Sequence, residues 1–270
     1  MIMNNFKLKQ ISLFLSYITL PTLLLCSTAA QAISLSTFRI YLDSDNSTAS
    51  FVMFNKTADK EKCELSLVHN NFDEGGQMFP VPNDEMPANS AEPWMRYSPK
   101  NFVVEASSPQ TVRFTMRRKA NTEAAEYRSY LRITCDPFEK KAETSTSDTD
   151  NVAKISIKPR IIQQVPIIVR TGKLDASVSF SDISLENETL IFHVNREGNR
   201  SVYGSLEIVN KSNNDVVSFK RNVSVYTDSR SVKHDLATLG IPLEQLAIRF
   251  VEDTAYGGSI SYEQDALTQK

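Results

Sequence analysis

Few residues in this chain could perform covalent chemistry. His69, His193 and His234 lie in unrelated contexts, and neither G-x-S-x-G nor H-E-x-x-H occurs. Cys26, Cys63 and Cys135 are scattered and form no C-x-x-C pair, so neither a zinc cluster nor a reactive dithiol is expected. With only 8 glycines, the chain has little room for a Gly-rich phosphate loop. The formal net charge is −2 and no long basic block appears, which argues against a nucleic-acid partner, whose phosphates are held by Lys and Arg. What remains is recognition chemistry. Ile155, Ile157, Pro159 and Ile161 occupy alternate positions, so in an extended strand they point to one face, with Ser156, Lys158 and Arg160 on the other. Such a row of apolar side chains suits entry into a groove, each buried Ile contributing roughly 1.5–3 kcal/mol gross by transfer scales. The same pattern also fits an ordinary strand covering its own core. Pro159 has no backbone N–H and must sit where that bond is not needed.

The elements that would position this row are strands. Of 270 residues, 41% are hydrophobic and 23% charged, which is globular composition. Ile33–Leu42 (ISLSTFRIYL), Ser50–Asn55, Cys63–His69, Thr111–Met116 and Tyr127–Cys135 alternate with period 2 and are rich in β-branched and aromatic residues. No stretch of helical period stands out beside them. Many short strands with turn signals between them predict an all-β sandwich architecture. Residues 136–154 are polar, charged and almost free of large apolar groups, so they are expected to form a mobile loop joining two strands. Thr171-Gly172-Lys173 reads as a linker, and a second strand-rich segment follows from Ala176. The expected division is a domain over 33–171 and another over 174–270.

The N-terminus reads as an export signal spanning 1–32. Lys7 and Lys9 precede an uncharged apolar run from Ile11 to Cys26, and Ala30-Gln31-Ala32 supplies an A-x-A cleavage pattern. The run is shorter than the roughly 20 residues a membrane-spanning helix needs. Cleavage would leave Cys63 and Cys135, and two cysteines in an exported chain most simply form one disulfide, with two free thiols as the alternative.

Several segments, in this order, resemble the PapD-like periplasmic chaperones of the chaperone–usher pathway. They are ISLSTFRIYL, YSPKNFVVEASSPQTVRFTMRR, EYRSYLRI and VPIIVR, the last matching the branch whose G strand ends P-I-I-V-R. LAIRFVEDTAYGGSISY extends the likeness into the second half. The resemblance implies two immunoglobulin-like β-sandwich domains set at an angle with a cleft between them. It implies a periplasmic binding protein rather than an enzyme, without cofactor or metal. Its partners would be pilus subunits lacking a final strand and an outer-membrane usher, with self-association through the donor strand also open. The chaperone would lend Ile155, Ile157, Pro159 and Ile161 to a subunit's unpaired sheet edge. Arg39 matches the arginine that binds the subunit's C-terminal carboxylate, a task its planar fork suits. The lysine expected as its companion falls at Pro166, which has no charged side chain. Arg128 and Arg132 are the foremost substitutes, sharing a strand face with Tyr130, and Lys158 and Arg170 are also available. The competing function is a secreted or surface two-domain adhesin, which would need neither the loop nor the alternating isoleucines.

Overall fold

The computed structural model describes residues 33–82, 85–117, 122–138 and 160–266. Among them there is no α-helix, only strands and short 3₁₀ turns. The expected strands form because period-2 alternation places one apolar face inward. In β3 (Thr48–Asn55) Phe51, Met53 and Asn55 are buried, and in β4 (Glu61–Val68) Cys63 and Leu65 are buried while Lys62 and Glu64 are exposed.

The first sandwich closes two sheets over one core. One sheet runs in the order β1 (Ile33–Leu35), β3, β9 (Pro109–Met116) and β7 (Met95–Ser98). The other runs β2 (Ile40–Leu42), β11 (Ile162–Thr171), β10 (Ala125–Pro137), β4 and β8 (Asn101–Val104). Phe51, Met53, Val112 and Phe114 meet Leu131, Ile133, Ile167 and Val169 between them. Cys63 and Cys135 are direct cross-strand partners on β4 and β10 and are joined by a disulfide across 72 residues. On the chain-entropy model a loop of that length is worth about 4 kcal/mol.

The second sandwich pairs a sheet of β12 (Ala176–Glu186), β13 (Thr189–Gly198) and β16 (Ser229–Asp235) with one of β15 (Asp215–Val225), β14 (Val202–Asn210), β17 (Leu246–Glu252) and β18 (Ser261–Asp265). Phe180, Phe192, Leu206, Ile208, Ile248 and Phe250 fill its core.

Three features depart from the sequence expectations. The alternating run Ile33–Leu42 is not one strand. It breaks at Ser36–Arg39, where the chain crosses from one sheet to the other, so β1 pairs with β3 and β2 runs parallel to β11. Ser36 secures the crossing, its N–H donating to the Val52 carbonyl and its Oγ accepting from the Val52 N–H. Second, the chain is still strand at Asp136, where the loop was expected to start. Cross-strand pairing to Glu61 and Lys62 carries β10 through Pro137, and Asp136 ion-pairs with Arg160. Third, a short hairpin of β5 (Asn70–Phe72) and β6 (Met78–Pro80) went unforeseen. The expected loop beyond Phe138, and Ile155, Ile157, Lys158 and Pro159 with it, lie outside the described residues. So do residues 1–32.

β11 explains why VPIIVR lacks alternation. Val165, Ile167 and Val169 face the core of the first sandwich. Ile168 and Arg170 point the other way and are buried as well, Arg170 against the second sandwich. A strand covered on both faces reads as a continuous apolar run.

Candidate binding cleft between the sandwiches

The outer face of the sheet containing β2, β11 and β10 turns toward the second sandwich. Arg39, just before β2, is 4% exposed. Its Nη2 donates to Ser224 Oγ at 2.9 Å and to the Tyr226 hydroxyl at 2.8 Å, both on the second sandwich side. Its guanidinium carbon stands 3.9 Å from the Tyr203 ring centre, with Tyr226 and Tyr256 at 5.7 and 5.8 Å. Three aromatic faces around a guanidinium supply attraction without neutralising it. Its Nε is buried and has no hydrogen-bond partner.

Arg128, on β10, is the second cation of this cleft. Its guanidinium carbon lies 4.1 Å from the centre of Tyr226 and 5.3 Å from that of Phe72. Two residues along the same face, Tyr130 is buried directly across from Pro166. Among the described residues neither Arg39 nor Arg128 forms an ion pair with a carboxylate. Two guanidiniums in a largely buried, aromatic-lined space without an acid can offer charge-assisted hydrogen bonds to an anion. Arg132, one pair further along β10, is exposed and stands apart from the three tyrosines. Ile161 is 59% exposed at the mouth of β11 and does not contribute to the core of its own sandwich.

Arg170, considered above as a free cation, is committed elsewhere. Its Nε ion-pairs with Glu126 at 2.9 Å, and its Nη2 donates to the Ser201 carbonyl at 2.9 Å. Glu126 also accepts from the Ser201 N–H at 3.1 Å. Beside this, Arg200 and Glu252 form a buried two-pronged pair at 2.6 and 3.0 Å. Burial works against the Glu252 carboxylate, but Arg200 and the N–H groups of Ser259 and Ile260 outweigh it and hold the carboxyl below its ordinary value. The contacts of Arg170 and Glu126 with Ser201 join the sandwiches, and the Arg200–Glu252 pair braces the second-sandwich side. Gly172 follows at φ +65°, where an added Cβ would sit 2.7 Å from that of Ala124.

The β5–β6 hairpin spans the cleft. Phe72 contacts Tyr226 with ring centres 4.7 Å apart, and the Glu74 carbonyl accepts from the Ser231 N–H at 2.7 Å. Gly76, at φ +74°, lies flat on the Arg230 guanidinium, where no side chain would fit. The turn Asp73-Glu74-Gly75-Gly76 was the sequence signal for this hairpin. The tyrosines, Ser224 and the joint had none, because they meet Arg39 and Arg170 only through the tertiary fold. The histidines stay apart: His234 shares a hydrogen bond with Ser218 at 2.7 Å, and His69 approaches Ser129 at 3.4 Å.

No family profile and no curated protein matches the chain. Solved structures do. The class 5 fimbriae chaperone CfaA aligns at 12% identity and TM-score 0.45, covering 88% of this chain and 100% of that one. The Salmonella enterica structure of SafA pilin with the SafB chaperone aligns at 11% and 0.46, covering 88% and 98%. The CsuC–CsuE chaperone–subunit complex from Csu pili of Acinetobacter baumannii aligns at 10% and 0.46, covering 86% and 97%. All three contain a fimbrial or pilin chaperone.

Proposed function

We propose that the chain is an exported, periplasmic chaperone for pilus subunits, with domains over 33–171 and 174–270, working by binding and not by catalysis. It caps a subunit that lacks its final strand, lends the alternating row Ile155, Ile157, Pro159 and Ile161 to the open edge, and passes the subunit to an outer-membrane usher. The observation that carries this reading is Arg39. A guanidinium held in an interdomain cleft, ringed by tyrosines and without a carboxylate, is suited to take a chain-terminal carboxylate from a partner. Arg128 adds a second positive charge, and Arg132 lies further along the same strand face. The exposed Ile161 just before β11 fits a strand whose apolar row is meant for a partner's groove.

The test is co-expression in a bacterial periplasm with a pilin from the same genome. The subunit should be recovered soluble in a one-to-one complex. Arg39→Ala should remain folded and weaken capture by about one to two decades, as expected for loss of one or two charge-assisted hydrogen bonds. A chain that leaves every such pilin to aggregate does not have this function.

A further inference from the structure

One polar group in the cleft is left over. The Tyr130 hydroxyl is buried and has no hydrogen-bond partner, although the residue is only 4% exposed. Each neighbouring tyrosine hydroxyl has at least one partner. The Tyr226 hydroxyl accepts from Arg39, the Tyr256 hydroxyl shares a hydrogen bond with Thr37, and the Tyr203 hydroxyl donates to Asn222. Phenylalanine would fill the same space without burying an unsatisfied oxygen, so the hydroxyl weakens the free protein. Among the described residues two other buried donors here lack a partner, Arg39 Nε and, against Gly76 of the hairpin, Arg230 Nε. Directly across the ladder Pro166 offers no side-chain donor, so a second donor at this level must come from β10.

We propose that the Tyr130 hydroxyl is the second donor to the carboxylate held by Arg39, and that it selects partners ending in a free chain terminus. The inference rests on the cleft reading above. A carboxylate has two oxygens and about four lone-pair sites, enough to accept from the Tyr130 hydroxyl as well as from Arg39. Burial pushes the phenol well above its ordinary pKa, the nearby Tyr226 hydroxyl adds to this by charge and by a weak approach outside hydrogen-bond geometry, and Arg128 and Arg39 oppose it without reversing it. Tyr130 therefore stays protonated and donates, never competing as an anion. The hydroxyl is enclosed, with Phe72 of the β5–β6 hairpin 6.2 Å from Tyr130 between ring centres.

The mature protein is titrated calorimetrically with a synthetic strand-forming peptide of alternating valine and threonine, once as the free acid and once as the C-terminal amide. Wild type should prefer the acid. Tyr130→Phe should bind the acid about 10-fold more weakly, bind the amide unchanged, and melt at or above the wild-type temperature. If Tyr130→Phe binds the acid like wild type while Arg39→Ala loses the preference, the Tyr130 inference fails and the cleft reading stands. A marked fall in melting temperature for Tyr130→Phe makes the hydroxyl structural and also overturns it. If wild type does not distinguish acid from amide, the cleft reading fails and takes this inference with it.

Discussion

Arg39 and Glu252 handle buried charge in opposite ways. Glu252 is fully paired, with Arg200 on both oxygens and two backbone N–H groups on one of them. Arg39 has aromatic faces and two hydroxyls but no acid. The Glu252 charge is neutralised within the fold, whereas the Arg39 charge is not. Because Glu252 has its folded pKa depressed, its contribution is fully present above its ordinary value of 4.5 and is lost as pH falls through the lowered value. Melting temperature should therefore drop on acidification below about pH 4.5, and Glu252→Gln should flatten that part of the profile while lowering stability at neutral pH. A profile unchanged by Glu252→Gln would show that other carboxylates govern acid unfolding. Of these two residues only Arg39 could be singled out in the sequence, by the resemblance of its segment to the chaperone family. Glu252 lies 52 residues from Arg200 with nothing local to mark the pair.

At the scale of elements, strands were legible because alternation is a local consequence of the pleat, and β3, β4 and β9 fall where period 2 puts them. The sheet crossing inside Ile33–Leu42 was not legible, since its alternation runs unbroken through the bend and only the partners change. β11 poses the sharper question of what its first residues are for. Ile161 and Ile162 are exposed, while Val165 and residues Ile167 to Thr171 are buried. Ile161→Asp should accordingly leave the fold intact, within about 0.5 kcal/mol as for other exposed sites, yet disrupt subunit capture, where a charge would enter an apolar groove. Denaturant titration and co-purification read the two effects separately. Loss of stability would return these residues to their own core, and normal capture by a stable variant would remove Ile161 from the donor row.

For the whole molecule, the relative setting of the two sandwiches decides whether the cleft exists. Arg39 belongs to the first sandwich and its hydroxyl partners to the second, so its hydrogen bonds close only at the angle that the joint enforces. That angle rests on Glu126 and Arg170, each with a side chain 9% exposed, which share Ser201 of the other sandwich between them. Glu126→Gln keeps the shape and an acceptor for the Ser201 N–H but leaves the Arg170 cation buried without its acid. Breaking a buried pair in this way costs about 3–5 kcal/mol. The cost falls at the joint and not in either core, where Phe51 and Phe250 remain sealed. Small-angle scattering should show a broader distribution of interdomain angles for Glu126→Gln, with each sandwich still folded by near-ultraviolet dichroism. Affinity for a chain-terminal carboxylate should fall although Arg39, Arg128 and Tyr130 are untouched, because the two walls no longer meet in register. Unchanged scattering with unchanged affinity would assign the setting of the sandwiches to the β5–β6 hairpin and its Glu74–Ser231 contact instead.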